Sequence, residues 1–156
     1  MNDGINFKEN NNVIAVGGEN QASVDGVEKF VVQLSDMVGK EIGGAYFAKD
    51  GAGATTHISI GLYKNNSLKE TRSNGHIAWA RMYPSSSLNN SITGFFHTHP
   101  SNGNISVSDR TQPSGQDKEA RNSSLESNPN LQFYILTHPV NYGDPFPKKI
   151  PYTNWP

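Results

Sequence analysis

The amino-acid sequence predicts an α+β domain in which a mixed β-sheet is flanked by helices. Charged residues make up 17% of the chain and the mean hydropathy is −0.62, so its polarity comes mainly from Asn, Ser and Gly. That composition is typical of a globular domain with long loops and disfavours a helical bundle. The length of 156 residues suits one domain with a core of stable size. Helical and alternating apolar patterns also follow one another along the chain, which indicates both kinds of element.

The first predicted helix covers residues 24–38. Apolar residues recur there at helical spacing, namely Val24, Val27, Phe30, Val31, Leu34 and Val38. Asp25 and Glu28 can form a capping box at its start, and Gly39 can end it. The preceding residues 1–22 are rich in Asn and Gly around one short apolar patch, so we expect a linker, an N-terminal extension or an edge strand without a site. The domain itself would then span residues 23–156.

Four strands are predicted next, in residues 41–47, 57–64, 76–83 and 91–99. The second and fourth alternate clearly, whereas the apolar pattern of residues 76–83 is imperfect. Pro100 ends the fourth strand, because proline has no N–H for the ladder. Phe95 and Phe96 face opposite sides of this strand, so at least one of them belongs to the core.

The last third of the chain is predicted to hold one helix and one strand. After an irregular loop, a helix begins at Ser114 and stops near Asn128. Residues 131–138 form a strongly apolar final strand. The proline-rich tail, residues 140–156, is expected to lack regular structure and to wrap the surface.

Composition excludes several classes of site. The formal net charge is −1 and there is no basic run, so a nucleic-acid partner has no electrostatic support. No stretch is apolar for long enough to span a membrane, and no membrane partner is expected. Cysteine is absent, which rules out disulfides and thiolate metal sites.

Two histidines and an aspartate predict a metal site. His97 and His99 lie two residues apart at the end of a strand, where alternation puts both imidazoles on one face. A nearby carboxylate would complete the three-ligand set of a catalytic metal site, which indicates a metal-dependent hydrolase. Two S-x-x-D sequences offer that carboxylate: Ser106 with Asp109, and Ser114 with Asp117. Such a sequence is also an ordinary helix cap, and we favour Asp117 because it opens a helix and is held rigidly.

A hydrolase also needs a general base, and Glu41 is the best candidate. It heads the strand of residues 41–47, which could lie beside the histidine strand. Glu19, Glu28 and Asp36 are weaker rivals, and the last two are expected to be solvated helix positions. The remaining histidines are expected to be structural or exposed, namely His57, His76 and His138.

These residues resemble the signature of the JAMM (MPN+, JAB) metalloprotease family, His-x-His-Pro, a loop, and Ser-x-x-Asp, with an upstream glutamate after the first helix. The resemblance implies a cytidine-deaminase-like JAB/MPN fold, a curved mixed sheet flanked by helices. It also implies that His97, His99 and Asp117 bind Zn²⁺, that Glu41 is the base, and that Ser114 hydrogen-bonds near the developing oxyanion. The loop between His99 and Ser114 is longer than the usual one, so Asp109 with Ser106 stays open as the alternative ligand.

The closest likeness is to JAB-like toxin domains at the C-termini of bacterial Rhs-type polymorphic toxins. It implies a zinc-dependent peptidase or isopeptidase whose protein or peptide substrate can be ubiquitin-like. It further implies secretion or delivery as part of a larger toxin, action in the target-cell cytoplasm, and a cognate immunity protein. The alternatives are a catalytically silent MPN-type interaction module and a metal hydrolase that acts on a non-peptide bond.

Overall fold

The computed structural model describes residues 13–49, 51, 53–61, 76–83, 88–101, 105–138 and 147–156. These residues form one mixed, six-stranded sheet with the strand order β1-β3-β2-β4-β5-β6. The strands are β1 (Val13–Ala15), β2 (Gly43–Phe47), β3 (His57–Ile60), β4 (Ile92–Thr98), β5 (Gln132–Thr137) and β6 (Lys148–Pro151). The predicted α+β class, a mixed sheet flanked by helices, is therefore confirmed.

The helices lie before, between and after these strands. They are α1 (Val24–Val38), α2 (residues 76–82), α3 (Leu88–Ser91), α4 (Val107–Arg110) and α5 (Gly115–Ser127). The predicted ends of two of them are confirmed. Gly39 closes α1 in the left-handed conformation, with φ of 65°, and Asn128 caps the end of α5.

The predicted capping box of Asp25 and Glu28 is wrong. The N-cap of α1 is Ser23, whose side chain accepts the Gly26 N–H at 2.9 Å. The helix therefore begins two residues earlier than that box requires, and Glu28 faces the sheet with only 5% of its surface exposed.

The connection around β4 decides where a site can form. This strand pairs antiparallel with β2, with Gly43 opposite His97, and parallel with β5, with Ile135 opposite His97. Because β2 runs the other way, its first residues lie beside the last residues of β4. A parallel neighbour needs a crossover, and the chain between β4 and β5 contains α4 and α5. The segments before β2, after β4 and at the start of α5 can therefore meet.

Each face of the sheet carries its own apolar core. Phe95 belongs to one cluster with Phe47, Trp79 and Tyr152, whereas Phe96 belongs to the other, which includes the α1 residue Val31. Both phenylalanines are 1% exposed, so both are core residues. The two histidines of interest follow Phe95 in the strand alternation and lie at the edge of its cluster.

Gly44 lets the second core pack tightly against β2. A Cβ at this position would lie 2.1 Å from Cζ of Phe96 and 2.4 Å from the Ser59 carbonyl oxygen. Real Cβ atoms do not approach other atoms so closely, so any side chain here would displace the Phe96 ring or the neighbouring strand. The glycine is required by the close approach of Phe96.

Residues 76–82 are helical, so the predicted strand there is wrong. The buried residues Ala78 and Trp79 are adjacent in sequence, which a half-buried strand does not allow. Trp79 instead packs against Tyr83, four positions on, with ring centroids 4.4 Å apart. The large apolar residues of this segment therefore follow helical spacing, which explains why their alternation was imperfect.

Both ends of the described chain join the sheet. Val13–Ala15 is an edge strand paired with β3, and an edge strand is one of the alternatives predicted for the N-terminal segment. The prediction that the tail lacks regular structure is wrong for residues 148–151, which pair antiparallel with β5. Tyr152, directly after this strand, is 1% exposed and belongs to the core. The remainder of the tail up to residue 146 lies outside the described residues.

Candidate metal centre

His97 and His99 turn the same nitrogen of their rings toward each other. The two Nε2 atoms are 3.0 Å apart, and the ring centroids are separated by 4.8 Å. His97 is the last residue of β4 on the face that carries Phe95. His99 follows the strand end, and its N–H donates to the Leu136 carbonyl at 3.1 Å. The neighbouring strand β5 thereby fixes the backbone of the second histidine.

Asp117 brings a carboxylate to this pair from the first turn of α5. Its Oδ1 lies 3.4 Å from Nε2 of His97, and its Oδ2 lies 3.8 Å from Nε2 of His99. Ser114 caps the helix: its Oγ accepts the Asp117 N–H at 3.2 Å, and its own N–H donates to Oδ2 of Asp117 at 2.7 Å. This capping box fixes the direction of the carboxylate, so the cap and the site are one arrangement.

The Asp117 carboxyl is held in its ionised form. Burial alone would favour the neutral acid, but hydrogen bonding to His97, the field of that ring and the hydrogen bonds with Ser114 outweigh it. The pKa of Asp117 is therefore well below its ordinary value. A permanently charged carboxylate facing two imidazoles is a suitable cation ligand.

A hydrogen bond fixes the tautomer of His99. Its Nδ1 lies 2.9 Å from the Arg110 carbonyl oxygen, and since a carbonyl only accepts, Nδ1 carries the hydrogen. The lone pair of the neutral ring is then on Nε2, which faces His97 and Asp117. Burial and the neighbouring His97 lower the pKa of His99 more than the Arg110 carbonyl and Asp117 raise it, so the ring stays neutral.

The donor atoms fit a small divalent cation. One ligand atom from each of His97, His99 and Asp117 can be chosen so that all lie within 4.8 Å of one another. Zinc bonds of about 2.1 Å in tetrahedral geometry place ligand atoms about 3.4 Å apart. The shortest separations here are 3.0, 3.4 and 3.8 Å. Two lone-pair nitrogens at such a distance repel each other unless a shared proton or metal ion lies between them.

Solvent can reach these ligands. The side chains of His97, His99 and Asp117 are 13%, 10% and 19% exposed, so none is sealed in the core. A fourth coordination position can therefore be open, as in catalytic rather than structural zinc sites.

Glu41 lies at the rim of this cluster. It precedes β2, and the antiparallel register carries it past the end of β4, where its Oε1 is 3.9 Å from Nε2 of His99. Its side chain is 52% exposed. Partial burial raises the pKa of Glu41, His97 opposes this, and the Asp117 carboxylate adds to it. A carboxyl with these neighbours can exchange a proton with solvent close to the cluster.

The alternative ligand Asp109 has a different position. Among the residues that the structure describes, the single group of three or more possible ligands contains Asp117 and leaves Asp109 out. Asp109 is exposed, and its N–H donates to Oγ of Ser106, the N-cap of α4, at 3.0 Å. The second S-x-x-D sequence therefore caps a short helix. The last residue of that helix, Arg110, supplies the carbonyl that orients His99.

The rival acids Glu28 and Asp36 are buried, so the expectation that they are solvated is wrong. Glu28 accepts the Tyr46 hydroxyl at 2.5 Å and pairs with Lys149 at 3.0 Å. Asp36 lies 2.5 Å from Nδ1 of His138, and both are about 5% exposed or less. Both acids are on the α1 face of the sheet, away from the cluster, whereas Glu19 is exposed before α1.

His57 and His138 are structural, as expected, and His76 is a partly buried residue of α2. His57 is 6% exposed, with Nδ1 at 2.9 Å from Oγ1 of Thr56 and Nε2 hydrogen-bonded to the Tyr83 hydroxyl. Burial lowers the pKa of His57, and the nearby Lys49 lowers it further.

Sequence reasoning missed Tyr152. Its hydroxyl lies 3.4 Å from Nδ1 of His97, on the side of the ring opposite the cluster. Burial and the Asp117 carboxylate raise the pKa of Tyr152, so the hydroxyl keeps its proton. The available signal was the short apolar alternation Lys149-Ile150-Pro151-Tyr152, which the surrounding prolines obscured.

No protein-family model and no curated protein sequence matches this chain. Within the described part of the chain, no helix has both the length and the apolar character that a membrane crossing requires.

Proposed function

We propose that this chain is a zinc-dependent metallopeptidase of the JAMM type with a JAB/MPN fold. One observation carries the proposal: the Nε2 atoms of His97 and His99 and the Asp117 carboxylate converge on one point, and the Glu41 carboxyl lies beside it. Three sequence-distant segments supply these groups, at positions matching the family signature that the sequence resembles. The mixed sheet flanked by helices supports the proposed fold.

Zinc is the metal that this donor set favours. Two neutral imidazoles and one carboxylate with a solvent-accessible fourth position are the composition of a catalytic zinc site, and the chain has no thiolate to offer. A zinc ion held there would act as a Lewis acid on a carbonyl and lower the pKa of a water molecule.

Glu41 is the proposed general base. Its Oε1 can accept a proton from the attacking water and then give it to the leaving amine, since its raised pKa matches both tasks better than an ordinary glutamate would. Ser114 is the proposed oxyanion donor. Its Oγ accepts the Asp117 N–H, and its hydroxyl hydrogen can donate to the carbonyl oxygen of the scissile bond.

The proposed substrate is a protein or peptide amide, including an isopeptide bond to ubiquitin or a ubiquitin-like protein. The resemblance to JAB-like toxin domains supports a further assignment, as the effector module of a larger secreted protein that has a cognate immunity protein. A silent interaction module would have no need for the complete set of His97, His99, Asp117 and Glu41 in one cluster.

Replacing Glu41 with glutamine tests the proposal. Glu41→Gln keeps the shape and the zinc but removes the base, so amide hydrolysis should fall by about 10²–10⁴-fold. Zinc content is measured by mass spectrometry. Cleavage is assayed with isopeptide-linked ubiquitin-like chains and with peptides as substrates. Glu119→Gln, an exposed glutamate on α5, is the matched control and should keep full activity.

Two results would contradict the proposal. A wild-type chain without zinc after zinc-replete preparation would leave the cluster without its metal. A zinc-loaded chain that cleaves esters or other non-amide bonds, and no amide bond, would favour the hydrolase of another class.

A further inference from the structure

The last ten residues of the chain pack against the candidate metal centre on the Nδ1 side of the His97 ring, opposite the cluster. After β6, the Tyr152 N–H donates to the Phe133 carbonyl at 2.9 Å, and Oγ1 of Thr153 accepts the Phe133 N–H at 2.9 Å. These bonds extend the pairing with β5 beyond the strand itself. Tyr152 is thereby fixed at the core face on which His97 lies.

The Tyr152 side chain packs directly against His97. The two rings meet edge to face, with centroids 5.7 Å apart and an interplanar angle of 82°. On its other side the Tyr152 ring packs against Phe133, with centroids 5.8 Å apart. The tyrosine ring is thus held between the core and the histidine, with its hydroxyl 3.4 Å from Nδ1 of His97.

This contact matters because of the tautomer that His97 needs. Its Nε2 faces His99 and Asp117, so a ligand lone pair on Nε2 requires the ring hydrogen on Nδ1. Nδ1–H can then donate to the hydroxyl oxygen of Tyr152. His99 obtains the same control from the Arg110 carbonyl at a shorter distance, 2.9 Å. Such outer partners orient ligand rings and raise their basicity.

A buried arginine connects the same tyrosine to the helix that carries Asp117. Arg121 lies one helical turn after Asp117 on α5 and is 7% exposed. Its Nη1 donates to the carbonyl oxygens of Tyr152 at 2.8 Å and of Trp155 at 2.7 Å. Charge-assisted bonds of this kind are strong in a buried setting, so α5 and the C-terminal residues are held together.

We propose that Tyr152 is a positioning residue of the metal centre: its hydroxyl fixes the ring orientation and tautomer of His97, and Arg121 holds it in register with Asp117. The inference rests on the proposed function, since it assumes that the cluster binds a metal. The C-terminal residues are then part of the site, although they contribute no ligand.

The test compares Tyr152→Phe with wild type in its affinity for Zn²⁺, measured by competition with a chromophoric chelator. The variant keeps the ring and loses the hydroxyl, so Zn²⁺ should bind about 10-fold more weakly, at the lower end of the effect of outer-partner changes. The melting temperature of the metal-free form should stay the same. Tyr134→Phe is the control. It removes the hydroxyl of a half-buried tyrosine on β5, the strand that also carries Phe133, and should leave Zn²⁺ affinity unchanged.

The outcomes separate the two proposals. If wild type binds Zn²⁺ and Tyr152→Phe binds it equally well, the positioning role is wrong while the proposed function stands. The same holds if Tyr152→Phe lowers only the melting temperature of the metal-free form, because packing alone would explain that. If wild type binds no Zn²⁺, the proposed function fails and the positioning role fails with it.

Discussion

Two histidine–aspartate groups lie near the ends of the adjacent strands β4 and β5, and they differ in what their polar atoms face. In the first, His97, His99 and Asp117 each bring a possible ligand atom within 4.8 Å of the others. In the second, Asp36 of α1 and His138 after β5 form a closed pair. The residue types are the same, so sequence chemistry alone does not separate a reactive cluster from a structural one.

In the closed pair, both oxygens of the carboxylate already accept hydrogen bonds from the protein. Oδ2 of Asp36 lies 2.5 Å from Nδ1 of His138, and Oδ1 accepts the Ser101 N–H at 2.7 Å. The two side chains are 7% and 5% exposed. Both carboxylate oxygens are therefore satisfied inside the protein, and the contact ties α1 and β5 to the chain just beyond His99.

The first group, His97, His99 and Asp117, is an open cluster, in which three side chains face a common space. The two Nε2 atoms and the Asp117 oxygens face one another, at distances of 3.0, 3.4 and 3.8 Å. Outer partners act instead on the far sides of the rings, through the Arg110 carbonyl and the Tyr152 hydroxyl. A histidine becomes a metal ligand when its second nitrogen is committed to the protein and its first is left to face a carboxylate.

The same substitution, aspartate to asparagine, should lower Zn²⁺ affinity in the open cluster and stability in the closed pair. The larger effect is expected in the open cluster. Asp117→Asn replaces a charged ligand with a neutral amide, so Zn²⁺ affinity should fall by more than about 100-fold, beyond the range of outer-partner changes. Competition with a chelator measures this. Asp109→Asn is the control and should leave affinity unchanged. Loss of zinc in Asp109→Asn with retention in Asp117→Asn would reverse the ligand assignment.

Asp36→Asn should cost stability and spare the metal. An amide can satisfy only one of the two donors, Ser101 N–H or His138, and leaving a buried polar group unpaired costs about 1–3 kcal/mol. Urea unfolding of the metal-free protein measures the loss in free energy of unfolding, with Asp109→Asn again as the neutral control. A drop in Zn²⁺ affinity without a drop in stability would mean that the closed pair belongs to the site after all.

The smallest effect is expected at His57, a buried histidine whose hydrogen-bond partners among the described residues are Thr56 and Tyr83. Its pKa is below the ordinary value of 6.5, so the folded protein binds fewer protons than the unfolded chain once the pH falls below 6.5. Its contribution to stability is therefore complete above pH 6.5 and is lost as the pH falls through the folded pKa. Unfolding of the metal-free form should become easier on acidification, and less so in His57→Gln. Identical pH dependence in both proteins would contradict this.

The candidate ligand residues could be predicted from the sequence because each has a local signal. Alternation puts His97 and His99 on one face, and the cap sequence places Asp117 at a helix start. The choice between Asp117 and Asp109 needed the three-dimensional arrangement, since both serine–aspartate sequences are real caps. The strand–helix order of the α+β class was equally local, although residues 76–82 and residues 148–151 were assigned to the wrong kind of structure.

The residues that sequence reasoning placed wrongly depend on distant partners. Glu28 and Asp36 are polar positions of an amphipathic helix, and periodicity alone assigns such positions to solvent. They are buried because the sheet presents Tyr46 and His138 beneath them, the latter 102 positions away from Asp36. Tyr152 was missed for the same reason, since its role follows from pairing with β5 and from Arg121 on another helix.

The parallel pairing of β4 with β5 has a consequence for when the candidate metal site can form. Asp117 lies within the crossover that this pairing requires, and Glu41 reaches the cluster only when β2 has paired with β4. Unfolded chain offers the two histidines together but not the carboxylates, so a tightly coordinating site exists only after the non-local contacts have formed. If the chain has the proposed function, bound zinc would stabilise the folded state by mass action, by about 2.7 kcal/mol at 100 times its dissociation constant. The zinc supply where the chain folds would thus help to set how long it stays folded.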